Sequence, residues 1–536
     1  MSTQPTQAAQ PTQAVPAAPS DAPDQQRRPA HTPVLAAVLL AVFVVPMSIS
    51  GTAVALPRIG AGTHADLAPL QWVVNAFNVA FACFTLVWGS IADVIGRARA
   101  FAAGVALYAL GSLASAVAAD VLWLDAARAL TGIGGAAIFS CGAAILSTVF
   151  DGPARARAFA LFGTVAGAGV ALGPSLAGVL VQGLGWRWVF AVHAVALAFV
   201  LLALPAIARA VAATSAGSGG TGGGRIDVPG SALFVLAMVL LTTAIVQGSQ
   251  WGWGSAGVLG LFAGAVAVLG VFAAVEHRSA HPMLDLGLLR DRRFLGLCLV
   301  PVAASFGFVT VLTYLPSYLT AVTGRGTGAA GLLMLLLTAP VLVLPMLAAR
   351  LVAHGMRPLT LVLLSLACLV AGDLALTLLS PSATVLLLAA PMLITGAGMG
   401  LSAGLVDGQA LELVDPAKAG MAAGFLNTLR LGSEAVAVAV YGSALATVLG
   451  TRVADGIGAH PGASRAGEVA DRAAGGDLTG AAELSGATDH RAFTDFLAHA
   501  YDSAFHSVLW GLAAVGALLA VLIALLLRGS SARTTV

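Results

Sequence analysis

Long apolar runs recur along this chain between short polar or glycine-rich breaks, each run close to the length a bilayer's hydrocarbon core demands. A helix needs about 20 mostly apolar residues to cross such a core. Cutting the sequence at its charged and Gly/Pro/Ser-rich breaks predicts fourteen spans: 34–57, 69–92, 98–119, 122–149, 157–182, 187–209, 228–247, 256–275, 294–320, 328–350, 357–379, 383–406, 419–449 and 503–528. Three stretches interrupt the series. Residues 1–33, a Pro, Gln, Ala and Thr mixture, lack any hydrophobic period and are expected to be a disordered tail. The run that follows is too long for a signal h-region and has no clear cleavage site, so the first helix should remain. Residues 211–227 read as a flexible linker, and 450–502, Ala/Gly-rich and mildly acidic, as a solvated tether with some helix.

Composition closes off the alternatives to a membrane protein. Only 9% of the 536 residues are charged, against about 25% in a soluble domain. The net charge of +2 and the absence of a basic run argue against a nucleic-acid partner. Cys83, Cys141, Cys298 and Cys368 all sit in apolar runs, with no metal-ligand spacing, and read as packing residues. With both ends of the chain placed in the cytoplasm, 17 of the 26 basic residues fall on inside segments, and only Arg58, Arg187 and Arg325 on short outside loops. That asymmetry follows the positive-inside rule, from which long loops such as 450–502 are largely exempt. It predicts a multi-pass inner-membrane protein with both termini cytoplasmic.

Certain short motifs then turn a membrane protein into a transporter. Between spans two and three runs Gly89-Ser-Ile-Ala-Asp93-Val-Ile-Gly96-Arg97-Ala-Arg99. Its glycines permit a tight turn and close helix approach, and Asp93 can accept charge-assisted hydrogen bonds. Here the chain resembles the major facilitator superfamily, whose signature loop has this spacing; the resemblance implies an ion-pair latch made and broken during alternating access. Arg128 with Gly132, Gly134 and Gly135 resembles the family's fourth-helix motif, in which the arginine is tied to proton coupling. Gly163, Gly167, Gly169, Gly173, Pro174 and Gly178 resemble its antiporter motif, with Ala177 in place of one expected glycine. Such glycines let a neighbouring helix pack at backbone contact, either as a sliding seam or as a static one, and Pro174 is expected to bend the span.

The count of fourteen, Trp72 and Asn75, Trp186 to Phe190, and Asn427 to Gly432 together resemble the fourteen-helix drug:proton antiporter branch. That resemblance implies an all-α major facilitator fold: a six-helix half at 34–210, two extra helices at 228–275, a cytoplasmic loop at 276–293, and a second half at 294–528 followed by a cytoplasmic tail at 529–536. The branch usually carries an aspartate in span one, where this chain has Ser48. A serine does not change protonation near neutral pH, so a coupling acid must lie elsewhere. The proton-coupling candidates are Glu434, Arg430, Arg128, Asp373 and Asp407, because intramembrane acids are costly and usually face a partner or a watery cavity. Glu434 lies one turn after Arg430, which leaves two readings: a coupling acid displaced from span one, or a structural pair on one helix face. Asp373 is expected toward the outer face, either functional or a helix-end acid at the interface. Asp407 would line the inward cavity, Asp125 would hold Arg128, and His193 reads as a packing residue.

The expected function is export of a hydrophobic, drug-like small molecule in exchange for protons by a monomer touching membrane lipid, with no cofactor. An exporter dedicated to an endogenous metabolite, lipid or siderophore, with different or no proton coupling, is the alternative. A non-transporting membrane sensor or enzyme is more remote, since no nucleotide-binding, nucleophile or metal motif appears.

Overall fold

The computed structural model describes residues 31–63, 65, 67–215, 227–279, 282–285, 287–380 and 385–528. Most of the expected tails and of the expected linker fall outside them; residues 31–33 instead begin the first helix and 211–215 end the sixth. Among the described residues every regular element is helical: α1 His31–Thr63, α2 Leu67–Ile95, α3 Arg97–Ala116, α4 Val121–Val149, α5 Gly152–Gly183, α6 Arg187–Ser215, α7 Val228–Trp251, α8 Ala256–Arg278, α9 Arg292–Ala304, α10 Thr310–Ala321, α11 Thr327–Ala353, α12 Pro358–Leu376, α13 Val385–Ser402, α14 Leu405–Glu412, α15 Ala419–Gly456, α16 Ala466–Ala474, α17 Leu478–Ser485 and α18 His490–Arg528. Lipid offers the backbone no hydrogen bonds, and a helix satisfies its own, which is why so apolar a chain takes this form. Among the described residues fourteen segments are long and apolar enough to cross a membrane. Two of these are interrupted helices: α9 and α10 are joined through a π-helical turn at Ser305–Val309, and α13 and α14 meet at Gly404.

Caps mark several starts. Asp120 accepts from Trp123 N at 2.8 Å before α4, Ser255 from Val258 N before α8, and Asp291 from Arg293 N at 2.7 Å before α9. In the first half α1 packs on α5 and α6, and α4 on α2 and α3; in the second, α13 packs on α11 and α12, and α18 on α9 and α12. The two halves meet where α15 crosses α2 and α11 crosses α5, and the extra pair α7 and α8 leans on α2 through α7. One core cluster runs through both halves, from Val38 and Phe101 to Phe294 and Leu426.

Residues 450–502 depart from the expected tether. α15 continues to Gly456, α18 begins at His490, and α16 and α17 fold between them with Val469, Ala473, Leu478 and Ala481 buried against Phe493 and Leu497. The apolar positions at 469, 470 and 473 lie on one face of a short amphipathic helix, so a segment that reads as polar overall still has a stripe to bury.

Candidate transport site

At the end of the bundle that carries residues 89–99, hereafter the motif end, α2 and α15 approach to backbone contact. A methyl group on Gly89 would strike the Gly420 carbonyl, and one on Gly420 the Gly89 carbonyl, so both positions exclude any side chain. The approach sets the Asp93 carboxylate at the first turn of α15, where it accepts from Gly420 N at 3.0 Å and Met421 N at 2.8 Å. Those amides have no partner within their own helix, and the positive end of the helix dipole favours a carboxylate there. Arg97 Nη2 lies 3.6 Å from Asp93 Oδ1 and also donates to the Pro416 carbonyl, while Nη1 donates to Thr148 Oγ1. Gly96, at φ 95°, lets the chain turn into α3 in a conformation other residues rarely adopt. Arg99 is exposed and stands apart from this cluster.

The glycines of α5 make three different contacts. Gly169 and Gly173 lie against the α1 backbone at Phe43 and Met47, Gly163 against Ala403 and Gly404 in the other half, and Gly167 against Val341 of α11. Gly178 faces open space and takes no part in the seam. Ala177, the departure from the glycine pattern, is met by Gly51 of α1, whose Cβ would lie 3.1 Å from the alanine methyl. Gly404, at φ 75°, breaks the thirteenth helix where the Phe159 carbonyl of α5 comes close, which a span drawn straight through 406 did not foresee.

Arg128 is fully buried in the first half, and its partner is Ser48, the residue standing where an acid was expected. Arg128 Nη1 donates to Ser48 Oγ at 2.9 Å and Nε to the Val73 carbonyl at 3.0 Å. The guanidinium lies over the Phe77 ring at 4.5 Å and the Phe190 ring at 5.6 Å. Ring quadrupoles replace part of what a carboxylate would supply. Asp125 does not hold Arg128: its Oδ1 is buried without a partner, because the arginine is turned toward α1 and α2.

The second half carries its arginine differently. Arg430 Nη2 donates to both oxygens of Asp407 at 2.9 Å, and Nη1 to Asn427 Oδ1 at 2.9 Å. The expected Arg430–Glu434 pair is therefore not the ion pair formed here, since a partner from α14 outcompetes the neighbour one turn along. Asp407, 3% exposed, is sequestered by that arginine instead of facing an open cavity. Glu434 and Arg430 line a cavity of about 30 Å³ with Ser305, Met399 and Ser402, room for roughly two waters.

Across the π-helical turn from that cavity lies Asp373. It is 1% exposed, and neither carboxylate oxygen has a hydrogen-bond partner. Gly307, in the middle of the turn, faces Asp373 Oδ2, which a methyl there would approach to 3.3 Å. Asp373 is three residues from the end of α12, as expected, but turned into the bundle instead of out to an interface. Its burial was not readable from the sequence; the signal available was only that a carboxylate so deep in an apolar run is costly. His193 is buried, as a packing histidine would be, though its Nδ1 lacks a partner.

Comparison with known proteins agrees with this architecture. A family model described as Major Facilitator Superfamily matches residues 38–438. The multidrug resistance protein Stp of Mycobacterium tuberculosis is 29% identical over 77% of this chain and 76% of its own length. The puromycin resistance protein Pur8 of Streptomyces alboniger is 33% identical over 78% and 82%, and the probable actinorhodin transporter of Streptomyces coelicolor 30% identical over 77% and 72%. Among solved structures, the human organic anion transporter MFSD10 (TETRAN) superposes with a TM-score of 0.54 at 15% identity, over 90% of this chain and 100% of that one.

Proposed function

The chain belongs to the major facilitator superfamily, a family of membrane transporters and not of enzymes, and from that premise we propose that it exports a hydrophobic, antibiotic-like small molecule in exchange for protons by alternating access. The cargo class is carried over from relatives whose names specify drug resistance and drug or antibiotic export. In this reading the motif end is cytoplasmic, both termini lie there, and the Asp93 latch holds the cytoplasmic side closed. Opening to the cytoplasm withdraws the Gly420 and Met421 amides from Asp93, and Arg97 then keeps that carboxylate company.

Glu434 is the coupling acid. The observation that supports the assignment is its place: it lines a water-sized cavity, and the neighbouring guanidinium is already engaged by Asp407. A carboxylate with a wet face and no committed ion pair can take up a proton on one side of the membrane and release it on the other. Asp373, across the π-helical turn, is a second acid within the same half, and π-bulges recur at functional sites. Arg128 is hydrogen-bonded to no carboxylate and serves to hold α1, α2 and α4 in register.

Proteoliposomes loaded at one pH and diluted into another test the proposal, with puromycin and a hydrophobic fluorescent dye as probes. Wild type accumulates the probes only with the gradient present, and Glu434→Gln loses gradient-driven accumulation while still exchanging probe at equilibrium. Equal accumulation with the gradient collapsed refutes antiport. A Glu434→Gln protein that keeps wild-type accumulation refutes the assignment of that acid alone. Several relatives are named for one antibiotic each; transport of one probe with rejection of the other supports an exporter dedicated to a single metabolite.

A further inference from the structure

At the motif end of the two extra helices, two carboxylates face each other with nothing between them. Glu276, in the last turn of α8, is 3% exposed, and Asp227 is the N-cap of α7. Each spends one oxygen on the backbone: Asp227 Oδ1 accepts from Gly230 N at 2.8 Å, and Glu276 Oε2 from Leu284 N at 3.1 Å. The other oxygen of each, Asp227 Oδ2 and Glu276 Oε1, is buried without a partner. Both converge on Gly230, where a methyl group would strike Glu276 Oε1 and lie 2.8 Å from Asp227 Oδ2. The two oxygens thus lie within the roughly 4–6 Å reach over which like charges oppose each other's ionisation.

No cation relieves that opposition among the described residues. α7 carries no other titratable group, and His277 and Arg278 of α8 are exposed and turned away. Of the elements packed on α7, α2 presents Asp93 at this end, which is committed to α15. Lys418, just before α15, is committed to Asp285 at 2.6 Å. Two unpartnered buried carboxylate oxygens at this spacing are reconciled by one proton between them, as in acid dyads elsewhere.

We propose that Asp227 and Glu276 form a proton-binding site that fastens the α8–α9 connection to the latch. The connection is continuous in hydrogen bonds. Glu276 holds Leu284; the next residue, Asp285, accepts from Lys418 and donates its amide to Met421 Sδ at 3.2 Å; and Met421 N is one of the two donors to Asp93. With the proton in place the connection is tied down beside the closed latch. Loss of the proton sets two charges against each other and frees Leu284, so the fastened form is favoured at lower pH and lost as pH rises. This site is separate from Glu434, and its existence does not depend on proton-driven export.

Hydrogen exchange at the Leu284 amide tests it, on the full chain in lipid nanodiscs across a pH series with intrinsic rates divided out. Opening is coupled to release of one proton, so wild-type protection falls about tenfold per pH unit once the pair titrates. Glu276→Gln keeps a neutral acceptor for Leu284 and removes the shared proton, and its protection is flat with pH; Asp227→Asn is flat likewise. A flat wild-type profile overturns the proposal, as does either variant falling in step with wild type. Protection at fixed pH that rises with added magnesium or calcium and is lost to a chelator overturns it in favour of a divalent-cation site. Transport is not measured, so a failure here is distinct from a failure of the antiport reading.

Discussion

Each half of the bundle holds an arginine among its helices, fully buried in the first and half-buried in the second, and the two are held by different means. Arg128 rests on a serine hydroxyl, a backbone carbonyl and two aromatic faces. Arg430 rests on a bidentate carboxylate and an amide. In the first arrangement no carboxylate is hydrogen-bonded to the arginine, whereas in the second one is, and a further acid, Glu434, lies beside a water-sized cavity. The difference teaches that a buried guanidinium can be held either by neutral and aromatic groups or by a carboxylate, and each half of this chain uses one of the two.

The comparison breaks most visibly at Asp407. Asp407→Asn removes the hydrogen-bonded carboxylate from the half-buried Arg430 guanidinium and leaves Glu434 as its nearest counter-charge, at a cost of up to about 3–5 kcal/mol, the figure for breaking a fully buried pair. Thermal inactivation in detergent is expected to show a drop of that size. Replacing both partners by apolar residues of similar volume, Asp407→Leu with Arg430→Met, is expected to recover most of the stability, because no unpaired charge remains. Recovery of stability without recovery of gradient-driven transport separates the pair's structural part from its functional one. If Asp407→Asn is silent in the melt, the pair does not carry the second half's packing.

A smaller effect is expected in the first half. Ser48→Ala removes one hydrogen bond from Arg128 and leaves Nη1 buried with no acceptor, at a cost of about 1–3 kcal/mol. The aromatic faces at Phe77 and Phe190 remain, so the protein is expected to fold and melt measurably lower. Ser48→Asp sharpens the contrast, since it gives Arg128 the carboxylate that Arg430 already has. In the double variant with Glu434→Gln, restored gradient-driven accumulation shows that the acid's place, and not the half it belongs to, decides coupling.

What could be read in advance follows from the range of the interactions. Fourteen spans were legible because crossing length is written in consecutive residues. The Gly89 to Arg99 loop was legible because spacing along the chain sets the turn, the cap and the ion pair together. The partner of Arg430 was not: Glu434 is one turn away in sequence, but Asp407 arrives from α14, and only packing decides between them. The same holds for Asp373 against Gly307 and for Glu276 against Asp227, each assembled from two helices with no fixed spacing. Residues 457–489 misled for a further reason, since their mean polarity hides a stripe at 469, 470 and 473 that α15 and α17 cover.

The smallest expected effect lies at the surface of the same assembly. Lys418 Nζ meets Asp285 Oδ2 at 2.6 Å, with the lysine side chain 51% exposed and the carboxylate 35% exposed. The hydrogen bond from Lys418 holds the Asp285 carboxyl below its ordinary range. A carboxylate whose pKa is lowered by folding contributes stability above its unfolded pKa of about 3.9, and that contribution is lost as pH falls through the lower, folded value. Solvent screening limits a pair so exposed to roughly 0–1 kcal/mol. Lys418→Ala is therefore expected to lower the melting temperature slightly at neutral pH, and to leave no difference from wild type once the solution is acid enough to protonate Asp285 in both states. Added salt should shrink the neutral-pH difference as well. A drop in melting temperature as large as that of Asp407→Asn would mean that the tie from Asp285 to α15, and not the Arg430 pair, holds the second half to its neighbours.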